Sequence, residues 1–433
     1  MPEKLSYKGL RDVVSGDAAA FRRTVRLQPV DGPGGKVFPP TYSGAIYATE
    51  KRWDPTVQGF VETVLLDSVA SQANRMEMAV KNAYDRERIA LPMISMDLPK
   101  DLYPEGRITV LDVPHRMADA ALRESRLDGV PFRDSPPGLA FTASRVGSAT
   151  PLFGVSPTSL LFGVWDSTGF QGALGAKFPR ALVSEIVAYG AEAGVRTASR
   201  IDPLPVGSTV KVYQRKGGGW TALPDEAEKA ENGQPKLFGK GRPSEVNLGN
   251  VTPDIARAKG KEHDAQGQLL RAGTSLPGGV TFRFAMQSTV LSLSALRRLR
   301  FPLKGGLPKP EVEDAARSLL AALGLVAISL TRQEGYFLRS RCQLIPEDAD
   351  SLKAVELVPG DGSAPERIEL TPDGAIDVFR ESVKAAQGAG LPWSEQEVVL
   401  EPNESLLSVI RESMRKTKQK ASAGELSEDE EDA

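Results

Sequence analysis

The alternation of apolar and polar positions divides the chain into a patterned body and a long unpatterned insertion. FRRTVRLQPV (21–30) alternates loosely through Val25 and Leu27 and predicts a strand, preceded by an entry segment over residues 1–20. From Val61 to Tyr84 apolar residues fall at Val61, Leu65, Val69, Ala73, Met76 and Val80. Those steps of three and four predict one long helix with a buried stripe. RITVLDV (107–113) predicts a strand and MADAALRES (117–125) a short helix. SLLFGVWDS (159–167) reads as a buried strand, and the Gly-rich STGFQGALGAKF leads to a helix expected from about Pro179, proline being favoured at the first helical position. VTFRFAMQSTVLSL (280–293) resumes strand alternation. SALRRLRFP and VEDAARSLLAALGLVAIS predict helices, the second running into a strand, with further helices around 376–387 and 403–413. Between 202 and 280 Gly, Pro, Lys and Asn dominate and no period holds; so long a loop in a domain is functional or disordered. RKTKQKASAGELSEDEEDA is poor in apolar residues and segregated in charge, which predicts a disordered tail. No internal repeat is visible.

Composition adds limits. A length of 433 residues suggests two or three structural units or one decorated core, and 40% apolar with 25% charged residues fits a soluble globular chain. There is no unbroken apolar run of about 18 residues, and MPEKLSYKGLRDVV is too polar for a signal peptide. The single cysteine, Cys342, excludes an intramolecular disulfide framework and a multi-cysteine metal site. The expectation is a cytoplasmic protein without a membrane partner. The net charge of −2 conceals an asymmetry. From Pro346 onward nine Lys and Arg face 21 Asp and Glu, whereas the first 345 residues carry 45 against 35. A basic body can hold a polyanion; an excess spread evenly for solubility is the other reading.

Several chemistries find no support. His115 and His263 are far apart in sequence and lack neighbours at zinc-ligand spacing, so no metal is expected. Cys342, flanked as LRSRCQLIP, reads as a structural strand residue rather than a nucleophile. The loop VDGPGGKVFPP (30–40) suggests a phosphate cradle, but Val30 stands where a Walker A loop needs its first glycine, and Val37 follows the lysine where a hydroxyl should be. No cofactor is expected. Asp31, ahead of Gly-Pro, reads first as a turn former.

Three constellations remain that could hold a nucleic acid. In the loop, glycines would let backbone N–H groups approach a phosphate and Lys36 would add a charge, although Gly-Pro-Gly-Gly is also a generic turn. Along LLDSVASQANRMEMAV, Ser68, Ser71, Gln72 and Arg75 share one polar face, suited to a sugar–phosphate track or to plain solvent. In GALGAKFPRALVSEI, Lys177 and Arg180 flank the expected helix start, where free N–H groups and the helix dipole would favour an anion; simple solvation is again the alternative.

DGPGGKVFPPTYSG, DSVASQANRME, GVWDSTG with GALGAKFPRALVSEI, and PSEVNLGN occur in that order and together resemble the CRISPR-associated RAMP-superfamily backbone subunit of type I-G (formerly I-U) Cascade. The resemblance covers most of residues 20–345, and the combination, not any single block, is specific. It implies an α+β fold: a modified RRM-like (ferredoxin-like) palm with helical finger insertions and a protruding thumb. It divides residues 1–345 into palm (1–201), thumb-like insertion (202–280) and palm (281–345), while composition sets apart an acidic C-terminal region (346–413) and a charged tail (414–433). It implies a non-catalytic subunit whose copies stack head to tail along CRISPR RNA and, with other Cascade subunits, present the guide to target DNA. Related subunits offer an S-Q-x-x-[KR] run to the guide, here Ser71, Gln72 and Arg75, with Lys36 on the same track. KVYQRKGGGW and KLFGKGRPSEVNLGN fall within the expected thumb. No RNP-type aromatic run is present, so backbone grip is expected rather than base stacking on the sheet. The alternatives are a RAMP-type ribonuclease cutting guide precursor or target RNA, in the latter case with Asp31 as its acid, and a protein with a generic basic face and no nucleic-acid role.

Overall fold

In the computed structural model the strand expected at 21–30 forms, with Phe21, Val25 and Leu27 fully buried on one face and Thr24 and Arg26 exposed on the other. The structure describes residues 3–43, 46–167, 176–258, 260, 263–264, 268–304 and 306–423. The chain divides into two units, residues 1–192 with 280–406 and residues 193–279 with 407–433.

The first unit contains α1 (Tyr7–Ser15), β1 (Ala20–Pro29), β2 (Thr49–Asp54), β3 (Gly59–Asp67), α2 (Val69–Asp85), α3 (Pro157–Phe162) and β4 (Leu182–Tyr189). It continues with β5 (Phe284–Ser292), α4 (Pro310–Gln333), β6 (Tyr336–Arg339), β7 (Cys342–Pro346), β8 (Ala354–Val358), β9 (Glu366–Glu369) and α5 (Pro372–Gly388). Within this list β1, α2, β4, β5, α4 and β7 make a βαββαβ path. The spatial order is β7–β1–β5–β4, and all three pairings are antiparallel. That is the ferredoxin-like arrangement of an RRM-like α+β fold. The β2–β3 hairpin extends the sheet beyond β4, and β8 and β9 extend it beyond β1.

Helix α4 is buried on nearly every face, and its apolar window, long enough to cross a membrane, is 89% buried inside the protein. A helix apolar all round is a core helix, and here it packs against α1, α2 and α5. Gly324 lets it approach the sheet: a Cβ there would lie 2.9 Å from a Leu291 methyl carbon. The strand expected at the end of this segment does not form. Leu325 through Ile328 stay helical because core packing outweighs their β propensity.

Other expectations are corrected. The helix expected over 61–84 begins at Val69, and residues 59–67 are strand β3. A spacing of four puts Val61 and Leu65 on one face of a strand as well as of a helix, so the pattern could not separate the two. Ser68 marks the change, its hydroxyl accepting from Ser71 N at 3.2 Å as the N-cap. The buried strand expected at 159–167 is helix α3 followed by a two-residue strand, Val164–Trp165. The helix expected from Pro179 is instead strand β4, so no helix dipole stands behind Lys177 and Arg180. The strand expected at 107–113 spans only Arg107–Thr109. The acidic region beyond 346 enters the first unit's core through β8, β9 and α5, where Phe379 and Phe153 flank the Trp393 ring at centroid distances of 6.1 and 5.5 Å. Helix α6 (Glu404–Ala423) takes in the first ten residues of the expected disordered tail; residues 424–433 lie outside the described residues.

In the second unit, Thr197–Arg200 pairs with Val251–Ile255, and Tyr213–Gln214 pairs with Trp220–Thr221 across a turn in which Gly217, Gly218 and Gly219 all have positive φ. These glycines close KVYQRKGGGW into a hairpin, where side chains would strain the backbone. The insertion therefore has structure of its own where the sequence shows no period.

Candidate nucleic-acid interface

The Gly-rich loop after β1 is laced to strand β7. Val30 N donates to Gln343 O and Phe38 N to Arg341 O, both at 3.0 Å. Gly32 and Gly34 take positive φ, and the Asp31 carboxylate occupies the space a Gly35 side chain would need. Asp31 therefore shapes the turn, and Lys36 leaves it half-buried, its Nζ 5.8 Å from the Phe38 ring centroid.

The polar face of α2 turns inward. Its target is Asp67, the last residue of β3, which has no solvent exposure and sits just ahead of the helix N-terminus, where a carboxylate is favoured. Ser71 Oγ donates to Asp67 Oδ1 at 2.7 Å; Gln72 Nε2 and Arg75 Nε donate to Oδ2 at 2.6 and 2.9 Å. The remaining Arg75 nitrogens donate to the carbonyls of Phe337 and Leu338, and Arg339 donates to Leu66 O at 2.8 Å. Gln72, only 2% exposed, passes the network under the sheet, accepting from Ser184 Oγ at 3.0 Å and Gln287 Nε2 at 2.9 Å. Tyr336 OH closes it on Gln287 Oε1 at 3.0 Å. The expected track of Ser68, Ser71, Gln72 and Arg75 is thus largely a buried polar latch, and only Ser68 stands apart as the cap. The signal the residue pattern missed was the acid one position before Ser68.

Lys177 and Arg180 are exposed. Lys177 pairs in register with Trp165, and its Nζ lies 4.8 Å from the indole centroid. Arg180 Nε donates to Phe162 O at 3.2 Å. Gly163, at positive φ, makes room for it, since a Cβ there would come within 2.9 Å of Arg180 Cγ. Most of the Gly-rich stretch before Lys177, residues 168–175, lies outside the described residues. Beneath these residues Arg116 grips Glu77 of α2 with two bonds of 2.6 Å and donates to Gly163 O at 3.1 Å. Burial pushes the Glu77 carboxyl up to about 7 against the pull of Arg116.

Tyr189 and the buried Phe284 stack at 5.1 Å across β4 and β5, with Arg26 Cζ 4.0 Å from the Phe284 ring centroid. Sequence reading missed this pair because its members are 95 positions apart and meet only through strand register. In the second unit, Arg200 donates to the carbonyls of Leu248 and Gly249 at 2.9 and 3.0 Å, fastening the end of PSEVNLGN. Cys342 is buried in β7, and burial pushes its thiol up to about 11. A disulfide reagent at neutral pH should leave it unmodified until the chain is unfolded, read as thiol release before and after denaturant; rapid labelling of the native chain would contradict a structural role.

No curated protein matches the chain. Residues 22–193, which hold β1 from Arg22 through β4, match the family described as CRISPR-associated protein GSU0053, a finding that supports a CRISPR-associated protein with a role in CRISPR defence.

Proposed function

We propose that the chain is a non-catalytic backbone subunit that binds CRISPR RNA of type I-G Cascade and stacks in several copies along it. The family match over 22–193 carries the reading. Its span covers the loop with Lys36, the α2 latch and the exposed Lys177 and Arg180. The RRM-like palm supports it, as does the insertion at 193–279, where thirteen Lys and Arg face nine Asp and Glu in the place expected for a thumb. Lys36, Lys177 and Arg180 contact the guide backbone; Ser71, Gln72 and Arg75 act from beneath by holding the start of α2. A carrier of arbitrary spacers needs such contacts, since phosphate contacts hold register and carry no base code.

Coexpression with a CRISPR array and purification at low salt is expected to yield a multi-copy particle containing CRISPR RNA of many spacer sequences. Lys177→Ala should weaken RNA binding severalfold and to the same extent for every spacer, with a shallower salt dependence. A monomer free of RNA, or a loss confined to some spacers, would overturn the reading.

A further inference from the structure

The turn between β6 and β7 carries an arginine in an unfavourable backbone conformation. Arg341 has φ of +56°, a region in which glycine or asparagine is the undemanding choice. The backbone bonds from Val30 and Phe38 bring the Gly-rich loop against this turn. As a result the Arg341 guanidinium carbon lies 4.0 Å from the Phe38 ring centroid, with Lys36 Nζ 5.8 Å from the same centroid. Two cations thus share one ring. Arg341 is exposed, and among the described residues no carboxylate forms an ion pair with it. The Asp31 carboxylate lies over Gly35, and Asp67 is buried beneath Arg75 and Arg339. A guanidinium stacked on a ring uses its flat face and keeps its N–H edge for a planar, two-oxygen acceptor. Phe337, 60% exposed, is an apolar surface on the same hairpin. Cations interleaved with aromatic rings are how proteins track single-stranded nucleic acid without reading its sequence.

We propose that Arg341, with Lys36 and Phe38, forms a phosphodiester-binding site for single-stranded nucleic acid. The inference rests on the guide-binding reading above and adds the β6–β7 turn to its surface. Arg341 supplies a fork to two phosphate oxygens, Phe38 fixes the plane of that fork, and Lys36 adds a second charge.

The test uses the full chain, a labelled single-stranded RNA of mixed sequence and the DNA of the same sequence, titrated over a range of salt. Arg341→Gly removes the side chain and relieves the backbone, so the variant is expected to melt no lower than the parent while binding both strands about tenfold more weakly at low salt. The slope of log affinity against log salt should fall by about 0.7, the value of one single-strand phosphate contact. Arg341→Lys keeps the charge without the fork and should fall between the two. Unchanged affinity and slope in Arg341→Gly, with the parent binding RNA, would overturn this site and leave the guide-binding reading standing. A loss confined to RNA would assign Arg341 to the ribose hydroxyl and overturn the phosphodiester contact. Failure of the parent to bind either strand would overturn both.

Discussion

Replacing Glu77 by methionine is expected to destabilise the fold by about 3–5 kcal/mol, more than replacing its partner Arg116 by the same residue. Both side chains are nearly inaccessible, at 2% and 5% exposure, and they meet through two bonds of 2.6 Å. A buried pair need not stabilise a fold on balance, but removing one member strands the other. The two stranded charges differ. A guanidinium cannot shed its proton, so Arg116 in the Glu77→Met variant keeps a charge that, among the described residues, has the Gly163 carbonyl and the Phe162 ring to receive it. A carboxyl can take up a proton, and Glu77 already lies high at about 7. In the Arg116→Met variant it rises further and becomes neutral. The pH dependence follows. The folded-state value lies above the ordinary 4.5, so the Glu77 contribution is fully present below about 4.5 and is lost as pH rises through about 7. Arg116→Met should therefore recover stability relative to the parent on acidification, whereas Glu77→Met should not. Urea melts near pH 5 and pH 8 read both. The double variant, with an apolar pair of similar volume, should be more stable than Glu77→Met alone. Equal cost for the two single variants at both pH values would show that neither charge is stranded.

The fold was legible in the sequence wherever a single period was unambiguous. β1, β5, α4 and α5 follow from alternation or from three-and-four spacing over a long run. It was illegible where residue patterns serve two geometries. The step of four from Val61 to Leu65 fits strand and helix alike, and Leu160 to Phe162 is an apolar run too short to choose between them. Pro179 suits a helix start, yet three residues later Leu182, Ser184, Ile186 and Ala188 alternate into the sheet. In each case the deciding partner lies far along the chain: β5 for β4, and Arg116 with Gly163 for the turn after α3.

The candidate surface divides in the same manner. Lys36, Lys177 and Arg180 could be found because glycines and aromatics beside them are visible locally. Arg341 carries no local signal in LRSRC, since its partner Phe38 lies about three hundred residues earlier. The polar face of α2 was legible as a face but not as to which way it looks. Gln72 and Arg75 point at an acid in the preceding strand, and a helical wheel drawn from the helix alone leaves that acid out.

Arg75→Ala is accordingly expected to act on stability first, with a loss of about 2–3 kcal/mol, while the fraction that remains folded keeps its affinity for RNA. Each Arg75 nitrogen is engaged from within: Nε on Asp67, and the two terminal nitrogens on the carbonyls of Phe337 and Leu338. Its removal takes the strongest cation from a carboxylate with no solvent exposure and leaves Arg339 at 3.5 Å, with Ser71 and Gln72, to hold the charge. Asp67→Ala should cost a similar amount by stranding Gln72 and the two arginines. The double variant should lose much less than the two singles combined, because all these groups serve one carboxylate. Arg75→Lys should not rescue the parent, since an ammonium on a flexible stem cannot reach a carboxylate and two carbonyls together. The measurements are denaturant melts of the four variants beside RNA titrations at a temperature where each is folded. An Arg75→Ala chain that melts with the parent but binds RNA weakly would return Arg75 to the guide, where the S-Q-x-x-R spacing first placed it. A lowered melting point with unchanged binding makes Asp67, Ser71, Gln72 and Arg75 an internal brace that fixes α2 and the β6–β7 hairpin beside the proposed guide-binding surface.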